Sequence, residues 1–301
     1  MTDDPRALLR HYGLVPRQSL GQNFLVEPTA PARITALAEL TPADTVIEVG
    51  AGLGTLTAAL AARAGHVIAV ETDPHLVAIL HQELAAFANV TIVHGDILDL
   101  DPATLLDVQP VPVMPLWGTR LPHYHVVANL PYYITGAVMR HLLEATVRPL
   151  RMVVTVQREV ATRMVAVPDA MSLLAVSVQF YGQPRIGMRL KRGAFFPAPD
   201  VESAVVRLDV HEMPPVPVTD VGEFFRVVRA GFAQRRKQLR NTLSANLPLP
   251  VADVAAALAG VGVDATRRAE TLTLAEWGRV TEALQALPGH HTWRSTSLAG
   301  M

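Results

Sequence analysis

Short β-branched runs alternate with helical stretches from Thr45 to about Val210. This alternation is typical of a parallel sheet whose strands are connected by helices that cover both faces. The sequence predicts strands at Thr45–Gly50, Val67–Glu71, Val90–His94, His125–Asn129, Met152–Gln157, about Arg185–Leu190, and Ala204–Val210. The expected fold class is therefore α/β.

Beyond the sheet region, the pattern changes to helices alone. The Pro-rich stretch Met213–Pro217 is typical of a linker, and helical periodicity without strand signals follows from Gly222 to about Leu287. A second Pro-rich stretch, Val108–Pro122, predicts an irregular loop within the sheet region. We predict three segments: a sheet domain over residues 1–212, a small all-helical domain over 213–288, and a disordered tail over 289–301.

The composition excludes several classes of protein and site. Cysteine is absent, which excludes disulfides, thiolate metal sites and a cysteine nucleophile. We predict no metal site, and we interpret the pair His290–His291 as incidental. Half of the residues are apolar, but no apolar stretch reaches the roughly 20 residues that span a bilayer. An acidic pair also occupies the start, where a signal peptide would be positively charged, so we expect a cytoplasmic protein with no membrane partner. No feature implies an oligomer.

A glycine-rich turn follows the first predicted strand, in Glu48–Gly54 (EVGAGLG). Because glycines allow tight turns and close approach to a ligand, Gly50 and Gly52 are candidate cofactor contacts. The second strand ends in Glu71, whose carboxylate can accept hydrogen bonds from both ribose hydroxyls. After the third strand, Asp96 can accept from the amine of an adenine or cap a helix. This pattern serves NAD and S-adenosylmethionine alike, although the G-x-G-x-G spacing fits the dinucleotide fingerprint poorly.

The fourth predicted strand ends in the tetrad Asn129-Leu130-Pro131-Tyr132. The exocyclic amine of adenine is a poor nucleophile because its lone pair is delocalised into the ring. The side-chain oxygen of Asn129 and the carbonyl of Leu130 can accept hydrogen bonds from the two N–H groups of this amine. These hydrogen bonds favour a tetrahedral nitrogen. Pro131 stiffens the turn, and Tyr132 offers an aromatic face to a base taken out of its stack. A methyl sulfonium is already activated, so methyl transfer here would need alignment and no general base.

Taken in order, these motifs resemble those of the ribosomal RNA adenine dimethyltransferases, specifically the small-subunit branch. The stretch Gly21–Leu25 (GQNFL) is similar to the N-terminal motif of the family and implies cofactor contacts by Asn23 and Leu25. The block Ala194–Leu208 (AFFPAPDVESAVVRL) resembles the family's F-x-P-x-P-x-V-x-S-A-V-V-R-L motif. Its first phenylalanine, Phe195, is implied to close over the target base opposite Tyr132.

The resemblance also implies the fold, the cofactor and the reaction. The expected fold is the Rossmann-like sheet of class I methyltransferases, so that residues 1–212 form the catalytic domain. The expected cofactor is S-adenosylmethionine, with Asn129 among its contacts. The expected reaction converts adenosines of small-subunit (16S) rRNA to N6,N6-dimethyladenosine.

A basic segment opens the predicted helical domain. The stretch Phe232–Leu243 (FAQRRKQLRNTL) resembles the basic motif at this place in the family, and no acid occurs between Arg226 and Arg240. On charge alone, such a run is more often a solvated helix face than a nucleic-acid site. With the resemblance, we expect phosphate contacts with rRNA in a partly assembled, 30S-type subunit. The candidate RNA contacts are Arg235, Arg236, Lys237 and Arg240.

Three other functions remain open on the sequence. A large-subunit rRNA adenine methyltransferase of the antibiotic-resistance type shares the motifs, an NAD-dependent oxidoreductase would explain the glycine turn and Glu71, and an assembly factor could have lost activity. The chain also departs from the family at Met171-Ser172, where an aromatic-glycine pair is common. Asp200 and Glu202 stand where lysine and aspartate are more usual, and Val108–Pro122 resembles an insertion. These departures concern the entry of the target base.

Overall fold

The computed structural model describes residues 4–107, 124–216 and 218–288. It divides into two compact units, of which the first comprises residues 1–162 and 183–212 and the second comprises 163–182 and 213–301. The predictions of an irregular loop at Val108–Pro122 and of a disordered tail over 289–301 lie outside the described residues.

The first unit contains the sheet. Its strands are β1 (Phe24–Leu25), β2 (Thr45–Val49), β3 (His66–Glu71), β4 (Val90–His94), β5 (Tyr124–Asn129), β6 (Arg151–Gln157), β7 (Gly182–Leu190), β8 (Phe195–Phe196) and β9 (Ser203–Val210). Its helices are α1 (Pro5–His11), α2 (Ala30–Ala38), α3 (Thr55–Ala61), α4 (Pro74–Glu83), α5 (Pro102–Leu105), α6 (Thr135–Glu144) and α7 (Arg158–Met164), the last of which crosses the boundary between the units. Each of the seven predicted strands is present in the large sheet.

The strand order of the large sheet is β4-β3-β2-β5-β6-β9-β7. Strands β4, β3, β2, β5 and β6 are parallel, as expected, whereas β9 runs antiparallel to β6. The expected parallel sheet is therefore mixed at β9, because a β-branched run predicts a strand and contains no information about its direction. A separate pair, β1 with β8, was not predicted, since two residues are too short for a periodic signal.

The core explains why the central strands are almost continuously apolar. Strands β2, β3, β5 and β6 are buried along nearly their whole length, as expected for parallel strands covered on both faces. On one side their side chains pack into a cluster that includes Ile34, Leu60, Val46, Val67, Val127, Val153 and Val205. The chain leaves β2 first toward β3 and β4 and later returns to its other side at β5. This reversal makes the carboxyl ends of β2, β3 and β5 the expected ligand crevice.

The second unit is helical. Its helices are α8 (Leu173–Tyr181), α9 (Val221–Phe232), α10 (Leu239–Asn246), α11 (Val251–Gly260) and α12 (Leu274–Gln285). Helix α8 belongs here because Phe180 stacks on Phe224 of α9 with ring centroids 4.6 Å apart, and Tyr181 stacks on Phe225. Residues 163–182, which we assigned to the first domain, group with this helical unit, and the predicted domain bounds stay a prediction. Among the described residues, no helix is long and apolar enough to cross a membrane.

Candidate active site

A cavity of about 270 Å³ opens at the carboxyl ends of β2, β3 and β5. Strand ends, the turns that follow them and the segment before β1 form its wall. The lining includes nine of the predicted site residues: Asn23, Gly50, Gly52, Glu71, Asp96, Asn129, Leu130, Pro131 and Tyr132. The parallel sheet thus brings together residues that are spread over more than a hundred positions of the chain.

The glycine-rich turn after β2 has the backbone that its sequence predicts. Gly50 has φ 73° and Gly52 has φ 60°, in the left-handed region that favours glycine. The Gly50 N–H donates to the Val70 carbonyl of β3 at 2.9 Å, which ties the turn to the neighbouring strand. A Cβ at Gly52 would lie 3.4 Å from the ring of Phe24. The turn therefore places backbone, rather than side chains, against the cavity.

Glu71 closes this turn as well as lining the cavity. Its Oε2 accepts from the Gly52 N–H at 2.8 Å, and its Oε1 accepts from the backbone N–H groups of Thr72 and Asp73, each at 2.9 Å. The residue is only 6% exposed, and these three donors provide the hydrogen bonds that a buried carboxylate needs. The sequence predicts the ribose contact, and the structure adds the bond that orients the glycine turn.

A second carboxyl group, Glu48, is buried at the end of β2 and is only 1% exposed. Desolvation raises the pKa of Glu48 to about 8, and the negative charge of Glu71 acts in the same direction, while the Thr57 hydroxyl acts against it. Glu48 is therefore protonated at neutral pH and adds no charge next to Glu71. The position of Glu48 in the glycine motif gave no indication that its carboxyl group is buried and protonated.

The amide of Asn129 is oriented by the protein. Its Nδ2 donates to the backbone carbonyl of Asn23 at 3.0 Å. Because a carbonyl can only accept, this bond directs the amide nitrogen toward Asn23 and leaves the Oδ1 atom of Asn129 as the acceptor. The Asn23 side chain in turn donates to the Gly21 carbonyl at 3.1 Å.

Tyr132 is anchored through its hydroxyl, which lies 2.6 Å from the Oγ of Ser203, a fully buried residue at the start of β9. Burial raises the pKa of Tyr132 while the Ser203 hydrogen bond acts in the opposite direction, so the phenol is neutral at physiological pH. Sequence reasoning quoted Ser203 within a motif without assigning it this role. It also missed Tyr133, which is 66% exposed and lines the cavity.

Two predicted contacts lie outside the cavity lining. Leu25 and Phe195 pair across β1 and β8, are 7% and 2% exposed, and pack in the hydrophobic core. The cofactor contact of Leu25 and the closure of Phe195 over the base stay predictions, and neither gains support from the residues that line the cavity. The exposed ring of β8 is Phe196, which has the Arg6 guanidinium 5.8 Å from its centroid.

Asp96 caps a turn, as its position in the sequence indicates, and its contact with the adenine amine stays a prediction. It lines the cavity, and its Oδ1 accepts from the Leu98 N–H at 2.9 Å to cap the 3₁₀ turn Ile97–Asp99. One carboxylate oxygen thus fixes the side chain at the cavity wall.

The basic segment of the second unit is a turn rather than one continuous helix face. Helix α9 ends at Phe232 and α10 begins at Leu239, and the three exposed side chains Arg235, Arg236 and Lys237 lie between them. None of the three forms an ion pair within the described part of the chain. Arg240 is half-buried in the first turn of α10.

The first arginine of this segment differs from the others. Arg226 lies 3.7 Å from the carboxylate of Glu223, one helical turn earlier in α9. The acid-free stretch thus has an acidic partner at its start. Arg226 is therefore less available to bind phosphate than Arg235, Arg236 and Lys237 of the turn.

Two departures from the family pattern have structural partners. The Glu202 carboxylate pairs with the guanidinium of Arg158. The Oγ of Ser172 accepts from the Ala175 N–H at 3.2 Å and caps α8. Both residues are therefore used in local structure near the ends of elements.

Comparison with known proteins decides the family. A family model described as ribosomal RNA adenine dimethylase matches residues 14–297. The chain belongs to this family. Ribosomal RNA small subunit methyltransferase A of Moorella thermoacetica is 45% identical over 281 residues, which cover 93% of this chain and 96% of that protein. The protein of the same name from Dehalococcoides mccartyi (strain ATCC BAA-2266 / KCTC 15142 / 195) is 44% identical over 272 residues, with coverages of 90% and 89%.

Solved structures agree with the dimethylase family assignment. The 23S rRNA methyltransferase ErmE is 28% identical with a TM-score of 0.67, over 87% of this chain and all of that one. A dimethyladenosine transferase from Plasmodium falciparum has a TM-score of 0.72 at 21% identity, over 87% and 97% of the two chains, and supports the fold. The predicted class I methyltransferase fold, the family and the S-adenosylmethionine cofactor are confirmed, and the oxidoreductase alternative is wrong.

Proposed function

We propose that this dimethylase modifies adenosines of small-subunit (16S) rRNA, giving N6,N6-dimethyladenosine. The observation that carries the proposal is the orientation of Asn129, whose nitrogen is bound to the Asn23 carbonyl at 3.0 Å. The amide oxygen is thereby committed to act as an acceptor at the cavity, which is what an adenine amine requires.

The cavity fits S-adenosylmethionine in the chemistry of its wall. Glu71 provides a fixed carboxylate for the ribose hydroxyls, and Asp96 provides one for the adenine amine. The left-handed turn at Gly50 and Gly52 brings backbone close to the ligand without intervening side chains. When bound, S-adenosylmethionine supplies an activated methyl group, so that the protein has to align the acceptor nitrogen and does not need a general base.

The tetrad then holds the target adenine. The Oδ1 atom of Asn129 and the carbonyl of Leu130 accept hydrogen bonds from the two N–H groups of the amine, which localises its lone pair on nitrogen. The ring of Tyr132, held through its hydroxyl by Ser203, supports the base by stacking. Electrostatic alignment of this kind acts most strongly as the nitrogen becomes tetrahedral.

The choice between the small and large subunit rests on similarity. Relatives at 45% and 44% identity over nine-tenths of the chain are named small subunit methyltransferases, whereas the 23S rRNA methyltransferase ErmE is 28% identical. We infer that this protein shares the target of the closer group. We also propose that the rRNA is bound within a partly assembled subunit, and hence in the cytoplasm, with phosphate contacts from Arg235, Arg236, Lys237 and Arg240.

The test is transfer of labelled methyl groups from S-adenosylmethionine to under-methylated small subunits, followed by nucleoside analysis. We expect N6,N6-dimethyladenosine in 16S rRNA and no label in 23S rRNA offered in parallel. Dimethyladenosine in 23S rRNA would instead support the large-subunit alternative. Binding to the small subunit without any methyl transfer would support an assembly factor that has lost activity.

A further inference from the structure

The segment that precedes β1 forms part of the cavity wall, and hydrogen bonds between its two ends close it into a loop. The Gln22 Oε1 accepts from the Arg17 N–H at 2.7 Å, and the Gln22 N–H donates to the Arg17 carbonyl at 3.3 Å. Inside this ring, the Gly21 N–H donates to the Gln18 carbonyl at 2.9 Å. We call residues 17–23 the wall loop, because its last residues line the cofactor cavity.

One buried carboxylate outside the cavity holds the wall loop. Asp73 is 4% exposed, and its Oδ2 accepts from the Gln22 Nε2 at 3.1 Å and lies 3.4 Å from the Arg17 guanidinium. Its other oxygen, Oδ1, accepts from the His75 N–H at 3.0 Å and caps α4. Oδ2 thus holds the wall loop directly, whereas Oδ1 caps α4. Oδ1 also lies 3.1 Å from the Nδ1 of His75, which is 3.3 Å from the Arg17 guanidinium.

The other end of the wall loop meets the catalytic tetrad. The carbonyl of Asn23 accepts the hydrogen bond that orients the Asn129 amide. A wall loop released from Asp73 would therefore shift both the cavity wall and the group that directs Asn129. We propose that Asp73 is a positioning residue for methyl transfer, which acts through Gln22 and Arg17 and touches neither cofactor nor base.

The charge of Asp73 suits this role. Burial acts to raise its pKa, but hydrogen bonds from the His75 N–H and from Gln22, together with the Arg17 charge, lower the pKa below its usual value. The carboxylate stays ionised at neutral pH, and hydrogen bonds to an ionised acceptor are stronger than neutral ones. The proposal rests on the proposed function in one respect: the Kd for S-adenosylmethionine reports on the site only if this molecule is the cofactor.

The substitution Asp73→Asn separates the two functions of this side chain. Asparagine caps a helix as well as aspartate does, so the bond to the His75 N–H can remain. Its amide nitrogen, however, would face the Gln22 Nε2, which places two donors opposite each other. We expect the rate of amide hydrogen exchange at residues 17–23 of the free protein to rise about tenfold. The Kd for S-adenosylmethionine should also rise about tenfold, while the Tm should change little.

A second substitution should reverse the effect. Adding Gln22→Glu to Asp73→Asn restores a donor facing an acceptor, because the new carboxylate can accept from both the asparagine amide and the Arg17 N–H. We expect exchange at residues 17–23 to return to within about twofold of wild type, as coupled neighbours should show. The matched control is Asp101→Asn, which changes another N-cap, bonded to the Ala103 N–H at 2.9 Å, and should alter neither quantity.

The proposal is overturned if Asp73→Asn leaves exchange at residues 17–23 and the cofactor Kd at their wild-type values. It is also overturned if the Kd rises while exchange in the wall loop is unchanged, because Asp73 would then act by another route. A wild-type protein that does not bind S-adenosylmethionine would contradict the proposed function instead.

Discussion

At the scale of single residues, Asn129 shows how one side chain can be committed to one chemical role. One N–H of its amide donates to the Asn23 carbonyl, which fixes the orientation of the amide and makes Oδ1 its acceptor at the cavity. An acceptor that acts on the amine as it becomes tetrahedral stabilises the transition state more than the bound ground state.

We therefore expect Asn129→Ala to lower kcat by roughly 100-fold or more, while the Kd for S-adenosylmethionine changes much less. Labelled methyl transfer and calorimetry measure the two quantities. Asn129→Asp keeps an acceptor but places a second oxygen opposite the Asn23 carbonyl, so it should also be nearly inactive. Turnover of the alanine variant within a few-fold of wild type would contradict the role of the amide.

Glu48 gives a prediction about stability rather than catalysis. Its pKa in the folded protein is about 8, above the ordinary value of 4.5, so between these values the folded state holds a proton that the unfolded state releases. The contribution of Glu48 is therefore complete below about pH 4.5 and is lost as the pH rises toward 8, at up to about 1.4 kcal/mol per pH unit. Glu48→Gln cannot titrate and should flatten this dependence. Urea unfolding at pH 5, 6, 7 and 8 checks it; a slope equal to that of wild type would show that Glu48 is ionised in the folded state.

At the scale of elements, the site is assembled by strand ends and the turns that follow them. Neighbouring parallel strands end at the same edge, so the turns after β2, β3 and β5 meet without long connections. The second unit uses a turn in a different way: the end of α9 and the start of α10 leave Arg235, Arg236 and Lys237 exposed between two packed helices.

Reversing these three charges to glutamate should weaken binding to the small subunit and flatten its dependence on salt. The slope should fall by roughly one unit or slightly less for each phosphate that the variant no longer binds. Cofactor affinity should stay at its wild-type value. A suitable control is the double reversal of Arg268 and Arg279, two exposed cations elsewhere in the same unit. If the control weakens binding as much as the triple reversal, net charge rather than the turn is responsible.

At the scale of the whole molecule, selecting one site in rRNA requires more contacts than the catalytic pocket can provide. The tetrad of Asn129 to Tyr132 holds one adenine, which is too little information to select a site in rRNA. Phosphate contacts add affinity and position without reading sequence, so the remaining selectivity has to come from the shape of a folded target.

We therefore expect under-methylated small subunits to be methylated far more efficiently than an oligonucleotide that contains only the target loop. The comparison is of kcat/KM for the two substrates with the same labelled cofactor and at the same salt concentration. Equal efficiencies would mean that the loop alone carries recognition and that the helical unit does not contribute to docking.

The strands, the glycine turn, the tetrad and the resemblance to the family could all be predicted from the sequence. These signals are local: β-branched runs, glycines with a required φ and short motifs are each complete within a few residues. The same locality explains why nine of the predicted site residues line one cavity, because the ends of adjacent parallel strands must meet once the strands form.

The contacts between groups that are distant in the chain could not be predicted and are seen in the folded structure. Asp73 and Gln22 are 51 positions apart and Asn129 and Asn23 are 106 apart, so no local pattern could pair them. The direction of β9, the burial of Phe195 and the grouping of residues 163–182 with the helical unit depend in the same way on long-range packing. A periodic pattern shows that a face is buried, but it does not identify the distant residues against which that face packs.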